Sequence, residues 1–334
     1  MAALPLSLSS ALRSTGDPGP DGQTHGRHFD RLTIDHPDGT IAGWQSKAVP
    51  AGAGKGTAPH LLFAHATGLC AAAYLPILRQ MDLRIGVTAV DMRGHGRTAL
   101  PTPLPLNSWK VYADDLAHVA ARLRKNGHGD APLYLAGHSM GAVSLAMMLA
   151  RAPAVAERLL LLEPVAMPQW FNRLAGTPAW GPFRRRFYMV VNAQNRRDGW
   201  ENRSAVKASY LKKRFFAGWD AACLAGYLAD GLIEDDGADD GARRIRLACN
   251  PQWEGATFGA QANAFWPAVA KLSDRLCVVS ASSPSSTVRA GARARFRRLG
   301  VPLTVLRDVD HMFPVCAPPL MVDALGDLMK PALA

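Results

Sequence analysis

The sequence predicts an α/β fold: a mostly parallel sheet, helices on both faces, and one long helical insertion. Three observations carry this. Short apolar runs alternate with stretches of helical spacing through most of the chain, one run turns directly into a helix at a Gly-x-Ser-x-Gly corner, and the rhythm breaks for about a hundred residues before it returns.

At 334 residues with 48% apolar composition, the chain can bury one large core or two smaller ones. No apolar run is long enough to span a bilayer, which excludes stable membrane insertion through a helix. Met1 to Ser14 has a short apolar patch but neither a basic region nor a cleavage signal, so a cytoplasmic location is expected, with secretion left open. The five cysteines are odd in number and lack metal-ligand spacing, which reads as reduced thiols.

Residues 1–27, rich in Ser, Gly, Pro and Asp, read as a mobile leader. Phe29 to Ile34 and Thr40 to Trp44 then alternate around His36-Pro37-Asp38-Gly39, a hairpin with Asp-Gly at its turn. A Gly/Ala loop follows from Pro50 to Pro59.

His60 to His65 is a buried strand that runs into Ala66-Thr67-Gly68-Leu69, where small residues let the backbone approach a ligand. Thr67 is the expected donor of a main-chain N–H here, with Gly68 the alternative. His65 reads as a histidine that satisfies loop carbonyls beneath the site rather than as a base. Ala71 to Met81 is helical by pattern, and Arg84 to Val90 is a strand. It ends in Asp91-Met92-Arg93-Gly94-His95-Gly96, a tight loop in which Asp91 and Arg93 are expected to brace one another or the loop. Trp109 to Lys125 has helical spacing.

The chain is organised around Pro132 to Ala150. A strand passes into a helix through Gly137-His138-Ser139-Met140-Gly141, and such a corner strains the central residue and forbids side chains two positions away on either side. It lifts the Ser139 hydroxyl above the strand ends and sets the Met140 N–H at a helix N-terminus, where developing negative charge is stabilised. Arg158 to Val165 is the next strand, and it ends in one carboxylate, Glu163, at the same sheet edge.

Residues 167–266 hold six of the eight tryptophans, with helical stretches at Arg203 to Phe216 and Trp219 to Leu232. This is too long for a loop and is expected to be a mainly helical cap that encloses the substrate and excludes water. Charge is uneven here: Arg173 to Arg214 carries eleven Lys/Arg against Asp198 and Glu201, whereas Glu234 to Asp240 has five acids and no base. The plainer reading is a solvated arginine-rich surface, and the sharper one a site for anions or a membrane surface; no nucleic-acid motif accompanies the charge. Domain boundaries follow: leader 1–27, core 28–166, cap 167–266, core 267–334.

Alternation resumes with a strand at Arg275 to Ser280, a helix at Thr287 to Leu299 and a strand at Val301 to Leu306. His311 lies in the loop after that last strand, placed to reach back to Ser139, and Ala317 to Leu328 closes the chain as a helix.

The strand order, the corner at Ser139, His65-Ala66-Thr67-Gly68, Asp91-Met92-Arg93-Gly94-His95-Gly96 and the late His311 together resemble the alpha/beta-hydrolase fold superfamily, and within it the bacterial serine hydrolases of the esterase group. The resemblance spans residues 28 to 330. It implies an eight-stranded, mostly parallel sheet and a Ser, acid, His triad in that chain order. The triad would comprise Ser139, Glu163 and His311, with an oxyanion hole from the N–H groups of Met140 and Thr67.

In most of the family the acid follows the strand placed here at Arg275 to Ser280, but this turn reads Ala281-Ser282-Ser283-Pro284-Ser285-Ser286 and has no carboxylate. Glu163 matches the position one strand earlier. An anion must bond the His311 Nδ1–H to fix its tautomer. Asp308 and Asp310 rank below Glu163, since a neighbour's side chain points away from the ring. The competing reading of Glu163 is a pairing with a cap arginine.

The expected chemistry is acyl transfer to water on a partly apolar small-molecule substrate, with no metal or organic cofactor and no nucleic-acid partner. Rival readings are an acyltransferase or lyase on the same residues, and a non-catalytic ligand receptor, for which the missing late acid is the one feature in favour. The sequence does not give the oligomeric state.

Overall fold

The computed structural model describes residues 27–49, 58–125, 131–235 and 244–333. Most of the leader, the Gly/Ala loop at 50–57 and the acidic run beyond Asp235 lie outside the described residues.

The strands are β1 (Asp30–His36), β2 (Gly39–Ser46), β3 (His60–Ala64), β4 (Gly86–Val90), β5 (Leu133–His138), β6 (Arg158–Leu162), β7 (Leu232–Asp235), β8 (Arg244–Leu247), β9 (Leu276–Ala281) and β10 (Leu303–Leu306). Eight form one sheet in the order β1-β2-β4-β3-β5-β6-β9-β10. The hairpin β1–β2 and the β2–β4 pair are antiparallel, and every later pair is parallel.

The central strands are apolar throughout because both faces are covered, so successive side chains enter opposite cores. In β3, Leu62 and Ala64 face one core while Leu61 and Phe63 face the other; β6 divides the same way, Leu159 and Leu161 against Leu160 and Leu162. Helices Lys110–Leu123, Met140–Arg151 and Phe265–Lys271 cover the first face. The second is covered by Ala71–Leu78, Ala221–Asp230 and Pro318–Leu333.

Several elements differ from expectation, each for a local reason. The hairpin turn is Pro37-Asp38, because Gly39 already pairs with His36 and presses on the Ala99 carbonyl, where a Cβ would stand 2.2 Å from the oxygen. The helix expected from Ala71 is a 3₁₀ turn, Ala71–Tyr74, and a single α turn, Leu75–Leu78, with Pro76 in its first turn. In the insertion, Arg203–Leu211 ends early, and the following helix starts at Ala221 because the Asp220 carboxylate caps the N–H groups of Ala222 and Cys223.

The insertion contains helices Gln169–Ala175, Trp180–Arg184, Tyr188–Gln194, Arg203–Leu211, Ala221–Asp230 and Pro251–Gly259. It also holds the antiparallel β7–β8 pair, which the expectation of helices missed because each strand is four residues long. Helix Pro251–Gly259 is tied to the sheet domain: Trp253 Nε1 donates to the Arg93 carbonyl, and Trp109 Nε1 to the Thr257 carbonyl.

Candidate active site

The corner after β5 holds Ser139 at φ +56°, ψ −113°, a conformation a side chain rarely tolerates. The surrounding glycines make it feasible. A Cβ on Gly137 would stand 2.6 Å from the Ala142 nitrogen, and one on Gly141 2.4 Å from the Ala64 carbonyl oxygen. The Ser139 N–H donates to the Leu162 carbonyl at 2.9 Å, which fixes the corner against β6. Met140 is the first helical residue, and its N–H donates to no protein atom among the described residues.

His311 lies in the loop between β10 and the turn Phe313–Cys316. Its Nε2 is 3.1 Å from Ser139 Oγ, and its Nδ1 is 2.9 Å from Glu163 Oε2. With a carboxylate facing Nδ1, the proton sits there and Nε2 presents a lone pair to the serine hydroxyl. Ser139, His311 and Glu163, three residues from three loops, therefore form one hydrogen-bonded chain.

Glu163 is fully buried at φ +46°, immediately after β6. No arginine among the described residues bonds it. Its Oε1 accepts from the Ala281 N–H at 2.6 Å and the Ser286 hydroxyl at 2.8 Å, and its Oε2 from the Thr287 N–H at 3.1 Å. Burial pushes this carboxyl up, but the bond to His311, its charge and these donors outweigh burial and hold the pKa below the ordinary value. The loop that lacks an acid thus supplies the donors for the acid from the adjacent strand. Asp310 instead accepts from the Met312 N–H at 2.8 Å, turning the chain just after His311.

The loop after β3 approaches the corner from the other side. The Gly68 N–H donates to His95 Nε2 at 2.9 Å, whereas the Thr67 N–H meets no acceptor among the described residues, which separates the two expected donors. His65 is wholly buried: Nδ1–H donates to the Ala66 carbonyl at 2.8 Å and Nε2 accepts from the Met92 N–H at 2.9 Å. Burial, then His95, lowers its pKa to about 3, so it is neutral and has no free nitrogen. Burial also lowers His95 to about 4.

Asp91 and Arg93 do not pair with each other. Asp91 accepts from the N–H groups of Ala71 and Arg97 at 2.8 and 2.9 Å, and burial pushes its carboxyl up to about 6. Arg93 reaches the other way, to a bidentate pair with Asp115 at 2.8 and 2.9 Å. Each braces its loop separately.

Two residues at the site, His138 and Tyr74, were not singled out by sequence pattern. His138 is buried, its Nδ1 accepting from the Tyr74 hydroxyl at 2.7 Å and its Nε2–H donating to the His311 carbonyl at 2.9 Å. Burial and the adjacent His311 keep it neutral, well below the usual histidine range. A histidine immediately before the corner serine, ending a strand and so facing away from it, was the available signal. Among the described residues no group of three or more His, Cys, Asp or Glu could hold a metal ion.

A family model described as serine aminopeptidase, S33, matches residues 55–210. Protein phosphatase methylesterase 1 of Schizosaccharomyces pombe is 25% identical over 128 residues, 37% of this chain and 32% of that protein. A 2-(acetamidomethylene)succinate hydrolase of Mesorhizobium japonicum is 32% identical over 110 residues, 33% of this chain and 37% of that protein. The matches thus span about a third of the length of these curated relatives. Among solved structures, a peroxisomal alpha-beta-hydrolase from Saccharomyces cerevisiae superposes with a TM-score of 0.73 at 16% identity, over 92% of this chain and 90% of that one. The fold is that of the alpha/beta hydrolases.

Proposed function

We propose that the protein is a serine hydrolase that cleaves a carboxylic ester through an acyl-enzyme. The observation that carries the reading is the continuous chain Ser139 Oγ, His311, Glu163, with the serine on a strained corner. His311 takes the Ser139 proton as Oγ attacks the carbonyl carbon, and the N–H groups of Met140 and Thr67 receive the charge on the carbonyl oxygen. His311 then protonates the leaving alkoxide, and a water repeats the sequence to free the acid and restore the serine. Glu163 holds the ring in the right tautomer and stabilises the imidazolium. The insertion, residues 167–266, acts as a cap over a partly apolar acyl substrate.

The test is a series of chromogenic acyl esters of graded chain length, with a fluorophosphonate probe alongside. Activity and an adduct at Ser139 are expected; Ser139→Ala should abolish both, and His311→Ala should lower kcat by roughly 10⁵- to 10⁶-fold. Because one relative acts on a substrate named for an acetamido group, acyl anilides belong in the same screen. Folded protein that neither turns over an ester nor takes the probe at Ser139 would show that this is a ligand-binding relative rather than an enzyme.

A further inference from the structure

Eleven large apolar side chains stand exposed among the described residues, and eight of them fall between residues 170 and 215. Three of them mark one outer corner of the insertion: Tyr188 at 72%, Trp170 at 66% and Phe183 at 52%. They are not scattered singly. Trp170 packs edge-on against Phe171, and Phe171 edge-on against Trp180, while Trp180 lies tilted against Phe183, at centroid distances of 5.8, 4.9 and 5.1 Å; Phe171 also lies 6.4 Å from Phe187, beside Tyr188. A buried aromatic base thus holds an outer layer of rings in water, an arrangement that costs free energy unless something covers it.

The same corner is strongly cationic. Arg173, Arg185 and Arg186 are exposed, and none has a carboxylate partner among the described residues. On the adjoining core helix Ala290–Arg298, Arg295 donates to Gln169 and stacks on Trp266 at 4.5 Å, while Arg298 and Arg173 crowd it enough, after burial, to depress its pKa. No Asp or Glu occurs from residue 275 to 307, so that segment carries no compensating charge of its own.

We propose that this corner docks on an anionic lipid bilayer, with the rings of Trp170, Phe183 and Tyr188 in the headgroup region and Arg173, Arg185 and Arg186 on lipid phosphates. Aromatic rings favour the membrane interface and basic side chains the anionic surface, and here both project from one rigid base. A second copy of this chain is a poor occupant, because the net charge of +11 and the unpaired arginines would be brought against themselves. A nucleic acid would use the arginines, but it gives no reason for an outer layer that includes Met189 and Leu174. Docking here needs no spanning segment, and no helix among the described residues is long and apolar enough to cross a membrane.

The experiment is co-sedimentation of the full chain with vesicles of equal parts phosphatidylcholine and phosphatidylglycerol, and with phosphatidylcholine alone. The expected result is pelleting with the anionic vesicles only. Arg173→Gln with Arg185→Gln and Arg186→Gln should lower partitioning about 100-fold. Trp170→Ser with Phe183→Ser should lower it about tenfold at unchanged charge, and brominated lipid should quench fluorescence less in Trp170→Phe than in the parent. Circular dichroism checks the fold of each variant, and if the triple variant unfolds, the three single substitutions replace it. No pelleting overturns the proposal. So does pelleting that responds to the arginines alone, which is plain polyanion adsorption, or equal affinity for a single-stranded oligonucleotide. Self-association in sedimentation velocity that Trp170→Ser abolishes would assign the face to a second copy instead.

Discussion

Glu163 and Glu254 are both buried carboxylates, one at the edge of the sheet and one in the inserted helix Pro251–Gly259, and they are satisfied in opposite ways. Among the described residues Glu163 has only neutral donors besides His311: the N–H groups of Ala281 and Thr287 and the hydroxyls of Ser286 and Thr287. Glu254 has a cation, Arg196, whose Nη1 lies 2.7 and 2.5 Å from its two oxygens. Burial pushes the Glu254 carboxyl up, and Arg196 pulls it only part of the way back, leaving it above its ordinary value. Arg196 itself is raised above its ordinary value by Tyr227, Glu254 and Tyr210 against the effect of burial.

The contrast has a physical meaning. On the proposed mechanism Glu163 orients His311, which needs the carboxylate's negative charge uncancelled so that it stabilises the imidazolium; neutral dipoles keep it ionised without competing. A carboxylate that only joins two parts of a fold is better with its charge cancelled on the spot. Glu254 and Arg196 do join parts, since a Cβ on Gly68 would stand 2.4 Å from Glu254 Oε1 and 3.6 Å from Arg196 Nη1. The pair packs the insertion onto the loop that carries Thr67.

Glu163→Gln tests the first half of the contrast. The fold should survive, with a stability loss of about 1–3 kcal/mol because the new amide turns a donor toward existing donors. The kcat for ester hydrolysis should fall on the order of 10⁴-fold with little change in KM. A loss under tenfold in steady-state kinetics would mean that the imidazole is oriented by something else.

Arg196→Met tests the second half. It strands a buried carboxylate and should cost about 3–5 kcal/mol in urea unfolding, most of it recovered by adding Glu254→Leu. The kcat per folded molecule should move less than tenfold. If instead stability held and kcat collapsed, Arg196 would be part of the chemistry and the two carboxylates would not differ in kind.

Acid sharpens the comparison further. His65 and His95, lowered to about 3 and about 4, and His138, lowered well below its usual range, are neutral in the fold because of burial, whereas unfolded histidines titrate near 6.5. Each has a depressed folded pKa, so its stabilisation is present above about 6.5 and is lost as pH falls. Asp91 has the opposite sign: raised to about 6, it takes up a proton in the fold before the unfolded chain does, which favours the fold as pH falls. The histidines make stability fall as pH drops through about 6, and Asp91, with the raised carboxyls of Glu254 and Asp198, offsets part of that loss. Urea midpoints between roughly pH 7 and 5 measure the net effect, and a loss that shrinks when His65, His95 and His138 are each replaced by Gln would assign it to the histidines.

Legibility from the sequence followed how local each cause is. The corner at Ser139 was readable because its requirement, two absent side chains at fixed spacing, is covalent and near. Glu163 was readable because an apolar strand ending in a single acid delivers that carboxylate to the edge of the sheet where the serine stands, and His311 because the last strand must deliver its loop to the same edge. What stayed hidden depends on partners far along the chain. Ala281 to Ser286 read as a missing acid, yet the same segment donates to Glu163 from 118 and 123 residues away. Asp91 and Arg93 are two positions apart on one loop and read as a pair, but Asp91 turns toward backbone N–H groups and Arg93 toward Asp115 on a neighbouring helix. Nothing in the local pattern assigns such contacts, because burial rather than sequence proximity selects them.

His138 gives the smallest and most specific test. It touches no part of the Ser139 hydroxyl bond, but its Nε2–H holds the His311 carbonyl, and the Tyr74 hydroxyl decides which nitrogen carries that proton. Removing the ring in His138→Leu should let the His311 loop relax and lower kcat about tenfold, with KM and the unfolding midpoint changed much less, because Leu fills the space. Tyr74→Phe should act through the same bond: without its donor at Nδ1 the ring can shift its proton there and turn a lone pair toward the carbonyl, for a loss of a few-fold. Because both variants break one relay, the double variant should be no slower than His138→Leu alone. If the two losses multiply instead, Tyr74 and His138 influence the site independently, and the positioning of His311 rests on its bond to Glu163 and not on the residue beside the serine.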